Sequence, residues 1–100
     1  MTSSDERKAA EKAQAVLSLL TPSTAGTDEI AFTLRNAARI AATAMQPNFS
    51  TEMAHTAARH EAARVLNGVC GMLDRRVLTQ DVIDHARNAV AAWLKALAED

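Results

Sequence analysis

Val82-Ile83-Asp84-His85-Ala86-Arg87-Asn88-Ala89-Val90-Ala91-Ala92-Trp93-Leu94-Lys95-Ala96-Leu97 is the stretch that decides the fold class. Val82, Ile83, Ala86, Val90, Trp93, Leu94 and Leu97 recur at three- and four-residue spacing, the period of one helix face, with Asp84, Asn88 and Lys95 opposite. Thr79 stands where an N-cap belongs, Asp81 suits the positive end of the helix dipole, and Leu78 is placed to staple onto Ile83. The spacing therefore predicts a helix over 80–98.

Working back from it, Arg75 and Arg76 suit the end of a preceding helix, because cations are favoured there. Ala54, Ala58, Ala62, Val65, Val69 and Leu73 trace its apolar face, with Asn48 and Ser50 as caps and Phe49 able to pack on Ala54. We read a single helix over about 51–74, free to kink at Gly68 and Gly71. The competing reading ends it at Asn67 with Gly68 as its C-terminal cap. Pro47 stops a second helix that starts near Asp28 and runs over about 28–46. A first helix, about 4–20, has a capping-box spacing of Ser3 and Glu6 and a stripe of Ala9, Ala10, Ala13, Val16, Leu17 and Leu20. Thr21 to Thr27, with Pro22 and Gly26, is the clearest break. Short connections make successive helices antiparallel neighbours, so the expectation is one all-α domain over 1–100, an Ala-rich antiparallel four-helix bundle.

The composition narrows what such a bundle can do. Apolar residues make up 48%, but much of this is alanine, and only three residues are aromatic, so the core is thin. Small side chains let helix axes approach closely yet supply little apolar area, which favours self-association, a homodimer being one outcome. A formal net charge of −1 gives no field to attract nucleic acid or an anionic membrane surface. A single cysteine, Cys70, excludes an intrachain disulfide and suits a reducing, cytoplasmic setting. The charged start of the chain is no secretory signal, and no apolar run approaches the ~20 residues of a membrane span.

Histidine and cysteine invite a metal reading that the spacing opposes. His55 and His60 are five apart, about 140° around a helix, whereas ligands on one face stand three or four apart. His55 falls at the edge of the apolar face and reads as a packed histidine, and Asp81 with His85 as a surface pair. Cys70 lacks an evident activating base and reads as a small buried residue. Gly68-x-x-Gly71 has the spacing of a small-residue contact, which leaves close approach of another helix open. No phosphate loop, paired carboxylates or nucleophile elbow is present, so the reading is a non-enzyme without cofactor or metal. A helix-turn-helix over the last two helices would place Arg87 and Lys95 in the groove together with Asp81, Asp84, Glu99 and Asp100, which is poor phosphate chemistry.

The second helix carries the one anomaly. Ile30, Leu34, Ala37, Ala38, Ala41 and Met45 face inward, while Arg35, Asn36, Arg39, Thr43 and Gln46 face outward, and Phe32 falls within that outward set. Either Phe32 is covered by the 21–27 loop or a wide core, or it anchors a partner between two arginines, residue types that dominate interface energetics.

Ala31-Phe32-x-x-Arg35-x-Ala37-Ala38 resembles the first helix of an uncharacterised family of short helical bacterial proteins, encoded beside aminoglycoside-phosphotransferase-like kinases and acyl-CoA dehydrogenases. His85-x-Arg87 is similar to a second motif of that family. The resemblance implies an accessory protein and marks Phe32, Arg35, His85 and Arg87. The expected function is a protein-interaction or accessory module, with Phe32, Arg35, Asn36, Arg39, His85 and Arg87 as candidate partner-binding residues. A small inhibitor of a larger protein machine, of the kind phages and mobile elements encode, and a helical DNA-binding regulator are the alternatives.

Overall fold

A computed structural model describes residues 4–22, 28–43 and 53–98, and its elements are α1 (Ser4–Leu19), α2 (Asp28–Thr43), α3 (Met53–Arg75) and α4 (Gln80–Ala98). Each helix packs on the two beside it, α1 and α3 both on α2 and α4, so the four stand at the corners of a square. Long-range bonds show the alternating direction. Arg7 at the start of α1 donates to the Leu97 carbonyl at the end of α4, whereas Arg87 near the start of α4 reaches Leu17 at the end of α1. Cys70, late in α3, lies against the Ala31 carbonyl early in α2. The result is an all-α rod of 41 × 19 × 18 Å with no strand among the described residues.

The apolar stripes close on one another as the 3.6-residue period requires. Ala9, Ala10, Ala13, Leu17 and Leu20 of the first segment are buried, and Val16 packs on them half-buried. Leu34, Ala37, Ala38 and Ala41 of α2 meet Ala62, Val65, Leu66, Val69 and Leu73 of α3, and Ile83, Ala86, Val90, Trp93 and Leu97 close the core from α4. Trp93 is the largest fully buried side chain. The end of the second expected helix beyond Thr43, the start of the third before Met53, and the packing of Met45, Phe49 and His55 lie outside the described residues or side chains.

α3 runs without interruption through Gly68 and Gly71, so the reading that ended it at Asn67 does not hold. A Cβ built at either glycine meets nothing within 4 Å, so none of the described helices uses them for close approach. The helix ends one turn later in a Schellman motif. Arg76 adopts φ 59°, its amide donates to the Leu73 carbonyl at 3.2 Å, and the Val77 amide donates to Met72 at 3.0 Å. Glycine is the usual occupant of that left-handed position, because a Cβ there crowds the backbone. Thr79 then caps α4 as expected, its Oγ1 accepting from the Val82 amide at 3.4 Å.

Candidate functional site

Two polar clusters pin the ends of the rod. At one end the Glu6 carboxylate accepts from Arg59 Nε at 2.8 Å, Arg59 Nη2 at 3.1 Å and Trp93 Nε1 at 2.9 Å. Glu6 and Arg59 are 3% and 8% exposed, so this is a buried, forked ion pair that spans the diagonal from α1 to α3, with the indole of α4 bound to the same carboxylate. The Ser3 side of the expected capping box lies outside the described residues, and the Glu6 oxygens are bound by side chains of two other helices. Sequence reasoning missed Arg59 altogether. The signal was present in the register: Glu6 precedes Ala9, Ala10 and Ala13, and Arg59 precedes Ala62, Ala63 and Leu66, at the three-, four- and seven-residue steps of one helix face.

At the other end Arg87 Nε donates to the Leu17 carbonyl at 2.7 Å and Nη2 to Ser18 and Leu20 at 3.4 and 3.3 Å. These carbonyls belong to the last turn of α1 and the residue after it, groups that a helix cannot satisfy internally. Arg87 is thus a side-chain cap on a distant helix. His85 is exposed, and its Nε2 lies 3.3 Å from Glu61 of α3 rather than pairing with Asp81 of its own helix. Arg64 forks onto the same Glu61, and these hydrogen bonds, Arg64 first, hold its carboxyl below the ordinary range.

Cys70 is buried, and that burial pushes its thiol pKa up, the opposite of what a nucleophile requires. Among the described residues no three of His, Cys, Asp and Glu converge as metal ligands, and no helix is long and apolar enough to cross a membrane.

The outward side of α2 is what remains. Phe32 is 71% exposed, so the described helices do not bury it in a wide core, and most of the 21–27 loop lies outside the described residues. Arg35 pairs with Asp74 of α3 at the α2–α3 seam. Arg39 Nη2 donates to Asn36 Oδ1 at 2.7 Å and has no acidic partner among the described residues. The structure thus brings Phe32, Arg35, Asn36 and Arg39 onto one helix side and places His85 and Arg87 elsewhere, on α4. Leu19 on neighbouring α1, 82% exposed, adds apolar surface at the same end of the bundle as Phe32. No family model, curated protein or solved structure matches the chain, so this surface stands on its own geometry.

Proposed function

We propose that the protein is a non-enzymatic, cytoplasmic protein-interaction module whose outward α2 face binds a protein partner. The observation that carries the reading is Phe32, a large aromatic that is 71% exposed on a helix whose other face already fills the core. Such a side chain contributes almost nothing to folding, and in an interface it would bury a large rigid surface between arginines that can orient a partner. The partly apolar, mixed-charge surface suits a protein better than nucleic acid. On α4, the helix that a DNA-binding reading would place in a groove, Asp81 and Asp84 are exposed and Arg87 is engaged by α1. The accessory role implied by the resemblance of the Phe32 motif is compatible with this.

The test pairs stability with binding. Phe32→Ala should keep its melting temperature and lose about 2 kcal/mol or more of affinity for a partner recovered from the host. Arg35→Glu with Arg39→Glu should also weaken binding while costing little stability, since exposed ion pairs contribute little. Unchanged affinity in both variants removes the α2 face from consideration.

A further inference from the structure

The outward stripe of α2 is Glu29, Phe32, Asn36, Arg39 and Thr43, spaced three, four, three and four residues apart. That is the seam spacing of one helix laid along another. Four of the five are exposed and Asn36 is half-buried, so no described helix of the chain covers the stripe. Its charges are arranged with opposite signs at opposite ends. Neither Glu29 nor Arg39 has an oppositely charged partner among the described residues, and ten residues of helix hold them about 15 Å apart, too far to pair with each other.

We infer that the occupant of this face is a second copy of the chain, its α2 packed antiparallel on the first about a twofold axis at the level of Leu34. This deepens the binding-module reading and rests on it. With the axis midway between Phe32 and Asn36, the same level lies midway between Glu29 and Arg39. Each Glu29 therefore meets Arg39 of the second copy, and each Phe32 lies over the Asn36–Arg39 turn of the other. The interface is isologous, and each ion pair is made twice. The Arg39–Asn36 hydrogen bond holds the guanidinium along the stripe, where the aromatic ring of the second copy can stack on it. A uniformly acidic partner would be repelled by Glu29 and a uniformly basic one by Arg39. The reversed stripe of an identical chain complements both ends. Thr43 and the exposed Leu19 lie beyond the central pairs as flanking contacts.

The experiment is sedimentation equilibrium with native mass spectrometry on the full chain and on Glu29→Arg, Arg39→Glu and Phe32→Ala, each checked by melting temperature. The expected result is a concentration-dependent dimer for the parent chain and at least about tenfold weaker association for each single variant. Mixing Glu29→Arg with Arg39→Glu should restore a 1:1 heterodimer, because both cross-copy pairs again join Arg to Glu. A role of either residue in its own fold cannot give that rescue. A parent chain that stays monomeric up to about 1 mM overturns the inference. So does a dimer indifferent to all three variants, or a mixture that fails to restore association. A monomer whose Phe32→Ala variant still loses a host partner overturns only the second copy and leaves the binding module standing. If neither association nor host-partner binding responds to Phe32→Ala, both fall.

Discussion

Replacing Glu6 by Leu should damage this protein more than any other single polar-to-apolar change among the described residues. Leucine has nearly the right volume, so the cost comes from what is stranded. Arg59, 8% exposed, would keep its charge inside the bundle with both forked bonds gone. Breaking one side of a buried pair typically costs about 3–5 kcal/mol. Trp93 Nε1, on a side chain that is 0% exposed, would lose its 2.9 Å acceptor, and an unsatisfied buried donor costs about 1–3 kcal/mol. The two losses share one carboxylate and overlap, so about 3–5 kcal/mol is the expected total. Against a total stability of roughly 5–15 kcal/mol this is severe. At about 4–8 °C per kcal/mol for a domain of this size, the melting temperature should fall by at least about 12 °C. The companion is Glu6→Leu with Arg59→Met, which removes both charges and leaves only the indole donor unpaired. It should recover at least about 2 kcal/mol over Glu6→Leu alone, since replacing a whole buried pair by apolar groups is often near neutral. Urea unfolding of the parent, both single variants and the double variant gives the coupling energy directly. A loss under about 1 kcal/mol for Glu6→Leu, or a double variant no better than that single one, refutes the reasoning.

Three further outcomes follow from local geometry. Gly68→Ala should raise stability by about 0.8–1 kcal/mol in denaturant unfolding, because the added Cβ meets nothing within 4 Å and alanine is the better helix former. Arg76→Gly should raise it by about 0.5–1 kcal/mol, since φ 59° is free for glycine and strained for arginine. A loss of stability in that variant would mean the Arg76 side chain makes a contact worth more than the strain. Cys70 should react with a thiol reagent slowly in the native protein and promptly in denaturant, and its burial also sets a pH dependence. Its folded pKa is raised, so the unfolded chain ionises first and stability declines as pH rises beyond the ordinary thiol value, a decline that Cys70→Ala should reduce.

The helices were legible because their stripes repeat at short range. Val82 to Leu97 declares its inward face within one window, Thr79 caps the helix it was expected to cap, and a break falls between Leu19 and Asp28 where Pro22 and Gly26 signal one. Phe32 was legible as an alternative, since its angular position is fixed by sequence while its cover is a tertiary matter. The pinning clusters were not legible for the same reason. Glu6 and Arg59 occupy inward positions, but which charge answers which depends on the diagonal of a square, 53 residues apart in sequence. Arg87 serves carbonyls 67 to 70 residues away, and a backbone acceptor leaves no mark in a sequence.

That division of labour bears on how the surface can be used. An alanine-rich core gives little apolar area per helix contact, so directional bonds at the rod's two ends carry part of the specification: Glu6 with Arg59 and Trp93 at one end, Arg87 on the end of α1 at the other. Neither cluster draws on α2. That helix is held by Leu34 and three buried alanines on its inner side, by Cys70 against its Ala31 carbonyl, and by the Arg35–Asp74 pair at its flank. Among the described residues its outer stripe makes no contact with another helix, and an exposed phenylalanine there is tolerated rather than required by the fold. A charge or an aromatic can be exchanged on that stripe without removing any contact that pins the bundle. For this reason binding and stability should separate cleanly in variants of Glu29, Phe32 and Arg39, and should not separate in variants of Glu6, Arg59 and Trp93.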